Sequence, residues 1–313
     1  MAETIVVALG GNAILRAKQK GTVAEQQENV RITAEQIARI VHQGYRVVVT
    51  HGNGPQVGNI LIQQEEASGV VPAMPLDVCG AETQGFIGYL LQQALGRELR
   101  KFGEDRPVVT ILTQMIVDPA DKAFLNPTKP VGPFYTEAKA AKLMTSRGWI
   151  MKEVDYRGWR RVVPSPDPKR IVEAPTIRAT VDNDTIVIAS GGGGVPVKEN
   201  ADGSLSGVEA VIDKDLGAER LAREVSASLL LILTDVEKVA INYHQPDQTW
   251  LDTLTVAQAR AYQYEGHFRE GSMGPKVEAA IRFVSGGGAS ALITSLNNAA
   301  AALAGVTGTR IIP

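Results

Sequence analysis

The sequence predicts an α/β protein: a mostly parallel sheet covered by helices on both faces, built as one large unit or two fused lobes. Three observations predict it. Short, continuously apolar runs alternate with stretches of helical periodicity. Several of those runs end abruptly in glycine. A chain of 313 residues, 44% apolar and 21% charged, has the material for a core of that size.

Val6–Leu9 reads as the first buried strand, broken by Gly10-Gly11-Asn12. A helix follows over about 24–43, with Val30, Ile37, Ile40 and Val41 as its apolar stripe and Gly44 as its stop. The next strand, YRVVVTH (45–51), runs into Gly52-Asn53-Gly54-Pro55-Gln56, where Pro55 suits the first turn of a helix ending near Ala67. A third helix is expected over 76–102 and a third strand over 108–117. Residues 118–133 show no period and much Pro, Gly, Asn and Lys, so 118–170 is read as a flap or small subdomain with a helix at 136–147 and strands at 149–155 and 159–163. The core pattern then resumes with DTIVIAS (184–190) before four glycines and with a hairpin at Asp202-Gly203. After these come a helix at 214–225, SLLLIL (228–233) before Thr234-Asp235, a helix at 274–285, and a closing strand–helix–strand group over 289–312.

In an open parallel sheet the loops at the carboxyl ends of the strands gather along one edge, and ligands bind there. Four loops qualify: 10–12, 51–55, 190–196 and 234–239. The glycines among them (Gly10, Gly11, Gly52, Gly54, Gly191, Gly192, Gly193) can bring main-chain N–H groups against phosphate, with Asn12 and Asn53 beside them. Neither GxGxxG nor GxxxxGK[ST] occurs, which argues against the two commonest nucleotide folds. Phosphoryl transfer also needs positive charge at the moving group. Lys129 lies between prolines in the flap, Lys214 lies between Asp213 and Asp215 at a helix start, and Lys276 lies at another helix start. A cation is unfavourable at a helix N-terminus unless an anion is near. Arg160 and Arg161 add charge on the flap.

Other classes are excluded. A formal charge of −2 gives no reason to expect nucleic acid or membrane partners. The single Cys79 precludes an internal disulfide and reads as a small apolar filler in a helix. No His/Cys cluster has zinc spacing, no GxSxG elbow occurs, and the four histidines read as structural or solvent-facing, His51 as a turn residue. The first residues lack a basic segment, and no run reaches membrane-spanning length, so a cytoplasmic protein is expected.

ALGGNA, VTHGNGPQVG, NPTKPVG, GWRRVVPSP, SGGGGVPV, VIDKDL, LTDVEKVAIN and GSMGPKVEA occur in this order. Together they resemble the carbamate kinase family of the amino-acid kinase superfamily over the whole chain. The resemblance implies a three-layer αβα sandwich on a mainly parallel eight-stranded sheet, with a protruding subdomain and a homodimeric assembly. It implies a phosphoryl-acceptor half at about 1–207, a nucleotide half at about 208–313, and reversible transfer between ATP plus carbamate and ADP plus carbamoyl phosphate, with Mg²⁺ held mainly by phosphates. Carried over by motif, Gly10, Gly11, Asn12, Gly52 and Asn53 would hold the phosphoryl group and Lys129 would reach in from the subdomain. Lys214 would neutralise charge, Asp215 would organise the lysines, and Lys276 would contact the nucleotide phosphates. Asp235, Ala240, Ile241, Tyr243 and Met273 would line the nucleotide site, and Arg161 would assist from the flap. Many superfamily members carry a lysine two residues before the first glycine pair; Ala8 stands there, and Lys129 would supply the missing cation. The alternatives are a superfamily kinase of another small carboxylate or phosphate, and a nucleotide-binding protein without turnover.

Overall fold

A computed structural model describes residues 2–154, 157–268 and 272–313. Strand β1 (Thr4–Leu9) leads to α1 (Val23–His42), which opens with a capping box between Thr22 and Glu25. Then come β2 (Arg46–His51), α2 (Gly54–Ala67) with Pro55 in its first turn, and the long α3 (Leu76–Lys101). The middle of the chain holds β3 (Val108–Thr110), β4 (Gln114–Val117), β5 (Lys129–Tyr135), α4 (Glu137–Arg147), β6 (Met151–Glu153), β7 (Trp159–Val163) and β8 (Pro168–Ile171). It continues through α5 (Ala174–Asp182), β9 (Ile186–Ile188), and the hairpin of β10 (Val195–Glu199) and β11 (Leu205–Gly207). The last third comprises α6 (Lys214–Glu224), β12 (Leu229–Thr234), β13 (Val239–Ile241), β14 (Thr249–Leu251), β15 (Thr253–Thr255), α7 (Val256–Tyr264), α8 (Met273–Ser285), β16 (Ser290–Ser295), α9 (Ala299–Leu303) and β17 (Thr309–Ile312).

Eight strands form the main sheet in the order β15-β17-β16-β12-β1-β2-β9-β3. Every neighbouring pair is parallel except β16–β17. Strand alternation builds the three layers. Val6 and Ala8 of β1 face a core shared with α5, α6 and α8, whereas Ile5, Val7 and Leu9 face one shared with α1, α3 and α9. Both faces are buried, which is why these strands read as unbroken apolar runs.

Residues 108–117 are two strands and not the single one expected. β3 pairs with β9, but the Thr113 amide donates to the Gln84 side chain (2.7 Å), and its carbonyl accepts from Val195. The chain thereby leaves the main sheet and continues as β4 in a four-stranded sheet ordered β11-β10-β4-β8. The stretch 118–170 divides likewise. β8 belongs to that second sheet, and the projecting unit is the three-stranded sheet β5-β7-β6 with α4. Nor is 118–133 structureless: Lys122–Phe124 form a turn capped by Asp121, and from Lys129 the chain is strand. β5 lies at the edge of its sheet, where Pro130 and Pro133 cost no ladder bonds. Asp155, at the end of one expected flap strand, lies outside the described residues. The short elements α5, β13, β14, β15 and α7 have no counterpart in the sequence reading.

Candidate active site

The four loops picked out by sequence follow β12, β1, β2 and β9, which are consecutive neighbours in the main sheet, so they meet along one edge. Main-chain bonds tie them together: Gly10 N–H donates to Leu233 O and Gly52 N–H to Leu9 O, both at 3.1 Å. The Asn53 side chain turns away from its own helix and donates to Thr83 Oγ1 (2.8 Å), so α2 starts without a side-chain cap. The first-turn amides of that helix are left for an anion.

Below these loops, α6 lies directly on the third glycine loop. A Cβ on Gly217 would come 2.7 Å from the Gly193 Cα, and Gly193 itself has φ +94° and abuts Ile212. Glycine at both positions lets the helix N-terminus reach the sheet edge. Lys214 then runs past Gly52, whose added Cβ would meet Lys214 Cδ at 3.1 Å.

A cleft of about 540 Å³ opens over this frame, lined among others by Gly11, Gly52, Asn53, Gly54, Gly192, Lys129, Arg160, Asp213, Lys214, Asp215 and Lys276. Its charges are ordered around two aspartates. Asp215, buried, accepts from Lys214 Nζ on one oxygen (2.6 Å) and from Lys276 Nζ on the other (3.4 Å). Asp213 accepts from Lys129 Nζ (2.8 Å) through one oxygen and caps α6 by taking the Asp215 N–H (2.9 Å) through the other. Burial disfavours the charged form of Asp213, but Lys129, Lys214 and the capped amide outweigh it and hold its pKa below the usual carboxylate value. For Lys276, burial lowers the pKa and Lys214 adds to the lowering; Asp215 and Asp213 oppose it without reversing it. Lys276 Nζ also donates to Ser272 O (3.0 Å). Three ammonium groups and two carboxylates leave the cleft floor one positive charge in excess.

The other sequence candidates fall elsewhere. Gly10, Asn12 and Asp235 line an adjoining hollow of about 390 Å³, where Asn12 Nδ2 donates to Asp235 Oδ2 (2.6 Å). Gly191 and Gly193 are taken up by packing against His51, Gln84 and Ile212, and Gly192 alone of the three borders the cleft. Ala240 is buried in β13, while Ile241 and Met273 pack on the main core. Tyr243 is half exposed, with the Trp250 ring edge-on at 6.2 Å. Gly271, in the last quoted motif, lies outside the described residues.

Arg161 does not reach the cleft. It pairs with Glu209 and stacks over Trp149 (4.6 Å) in a smaller cavity between the flap and α2. Arg160, its neighbour, is the arginine at the cleft. Asp213 was legible only as a helix cap; two carboxylates bracketing Lys214 were the available signal for its second partner, Lys129. His51 is not a turn residue but the buried end of β2, packed beneath Gly191, and burial pushes its pKa down to about 4. Cys79 is buried and unpaired in α3, and burial raises its pKa to about 11. No described helix is long and apolar enough to cross a membrane.

The amino acid kinase family model matches residues 3–295. The chain is 58% identical to a carbamate kinase of Pyrococcus horikoshii, with all of both chains covered. It is 60% identical to a carbamate kinase of Thermococcus kodakarensis, with 98% of each covered. Its backbone is similar to that of carbamate kinase from Giardia lamblia bound to AMP-PNP, with a TM-score of 0.95, 50% identity, and 99% and 98% of the two chains covered. A mainly parallel eight-stranded sheet, a lysine–aspartate cleft at its loop edge and these likenesses lead to one conclusion: the chain belongs to the amino acid kinase family, in its carbamate kinase branch.

Proposed function

We propose that this chain transfers a phosphoryl group reversibly between ATP plus carbamate and ADP plus carbamoyl phosphate. The observation that carries the reading is the convergence of Lys129, Lys214 and Lys276 on one cleft edged by main-chain amides, in a chain whose full-length relatives are named carbamate kinases. Such a site needs no covalent nucleophile. A carbamate oxygen attacks the γ-phosphorus in line, so catalysis reduces to positioning and electrostatics.

Gly11, Gly52, Asn53 and the first turn of α2 hold the acceptor side, and Gly10 and Asn12 fix the loop between the two substrates. Lys214 neutralises charge on the moving phosphoryl, Lys276 contacts the nucleotide phosphates, and Lys129 arrives from the flap. Asp215 keeps Lys214 and Lys276 apart at set positions. Ala8 is buried in the core, so the charge that other superfamily members place there comes from Lys129. We assign ATP and ADP to the half after about residue 208, with Asp235, Ala240, Ile241, Tyr243 and Met273 along their path. Mg²⁺ accompanies the nucleotide. Asp213 and Asp215 are already committed to lysines, and among the described residues no three His, Cys, Asp or Glu side chains cluster to hold a metal, so phosphate oxygens are its main ligands. A homodimer is also expected: β3 is an edge strand, and Tyr89 and Leu112 beside it are half exposed. A cytoplasmic setting fits the free, buried Cys79.

The test is ATP formation from ADP and carbamoyl phosphate in a coupled assay with Mg²⁺, with acetyl phosphate and other acyl phosphates as controls. ATP from carbamoyl phosphate far above background supports the reading. Turnover of another acyl phosphate alone would point to a sister kinase, and no turnover at all to a binding protein.

A further inference from the structure

Two adjacent arginines on β7 part company because successive residues of a strand face opposite sides. Arg161 goes to the cavity behind the flap and finds Glu209. Arg160 goes to the cleft that holds Lys129, Lys214 and Lys276. There its Nε and Nη2 both donate to Gly132 O (3.1 and 2.7 Å), and its guanidinium lies 5.2 Å from the Phe134 ring centre. These contacts fix the plane of the group and leave Nη1 without a partner among the described residues.

The three cleft lysines each have a carboxylate; Arg160, half buried, has none among the described residues. Burial and the neighbouring Arg157 both act against its charge. An uncompensated guanidinium in such a place is costly unless an anion completes it. Its location says which anion. Gly132, the residue Arg160 grips, packs on α2: a Cβ at Gly58 would lie 4.0 Å from the Gly132 Cα. Arg160 is therefore held over the opening turns of α2, on the Gly52–Gly54 side of the cleft and away from Asp235.

We propose that Arg160 is a substrate-binding residue that receives the anionic phosphate of carbamoyl phosphate on the acceptor side, whereas Arg161 only fastens the flap. The proposal rests on the kinase reading above. No bond is made or broken at the guanidinium; it donates hydrogen bonds and charge.

Arg160→Gln removes the charge yet keeps an N–H for Gly132 O. In the full-length protein it should raise KM for carbamoyl phosphate about tenfold or more and leave KM for ADP within about twofold. Arg160→Lys should recover part of the loss, and Arg161→Gln should move both KM values together and less. Binding of phosphonoacetamide, an unreactive carbamoyl phosphate analogue, is measured by calorimetry on the wild type and Arg160→Gln in parallel. Weakening of about tenfold or more with an unchanged melting temperature supports the assignment. A KM for carbamoyl phosphate within about twofold of wild type, or equal losses for both substrates, overturns it. Wild-type turnover with an indifferent Arg160→Gln sinks Arg160 alone. No turnover sinks the kinase reading, and then calorimetry still decides: tighter binding by the wild type keeps Arg160 as an anion site, and equal or absent binding removes it.

Discussion

The sheet edge and the flap contribute opposite things to one cleft. The edge is neutral and over-determined: its loops are bonded to each other's strands, glycine meets glycine beneath α6, and side chains such as Asn53 and His51 are pinned from below. The flap is charged and lightly built. Its own core is Tyr135, Ala140, Leu143 and Met151, with Trp149 and Trp159 at the margin, and polar contacts such as Tyr135 to Glu65 (2.7 Å) and Arg161 to Glu209 attach it. Geometry is stored in the densely packed edge, where α6 and α8 also seat Lys214 and Lys276, and the flap brings Lys129 and Arg160 to the same cleft. A phosphoryl group needs both, because amides preorganised around it cost no rearrangement while cations must approach to neutralise it.

The largest blow to this division should come from removing charge at its centre. Lys214→Ala should cost about 3–5 kcal/mol of activation free energy, or roughly 10²–10⁴ in kcat, with normal melting. Near-wild-type turnover in a folded variant would take Lys214 out of the chemistry. Next comes acid. His51 is neutral in the fold, with its pKa depressed from 6.5 to about 4, so the unfolded chain binds more protons between those values. Its contribution is complete above pH 6.5 and fades as pH falls to about 4, a loss of about 3 kcal/mol. Melting curves across that window should show His51→Gln losing less than wild type. On the frame, Gly217→Ala presses a methyl against Gly193 and should destabilise the whole protein by about 1–3 kcal/mol in denaturant titration. A neutral result would mean that α6 is free to shift. The smallest effect belongs to the flap: Tyr135→Phe should remove about 1 kcal/mol of anchoring. Amide exchange should quicken in 129–163 and not in β1 or β12; a uniform change would mean that the flap and frame unfold as one.

The frame was the more legible of the two regions. Apolar runs ending in glycine locate β1, β2 and β9, and one ending in Thr234-Asp235 locates β12, because strands buried on both faces leave an unbroken apolar mark, and their order puts the loops together. The flap was less so. Lys129 reads as loop since Pro127 and Pro130 flank it, and only pairing with β7 makes it a strand. Arg160 and Arg161 are indistinguishable as residue types, and strand phase alone sends one to the cleft and the other to Glu209. The pairing of Asp213 with Lys129 spans 84 positions, beyond the reach of local pattern. The nucleotide residues came from motif resemblance, and short elements such as β13 carry too few residues to show a period.

One feature of the main sheet matters before any substrate arrives. β1 lies between β2 and β12, yet β12 is encoded roughly 220 residues later. At a synthesis rate of about 5–20 residues per second, Ile5–Leu9 waits roughly 10–45 s on the ribosome with one open apolar edge. During that interval the nascent chain carries a template for wrong pairing. Chaperone dependence in the cell should therefore follow the arrival of β12 more closely than that of the flap.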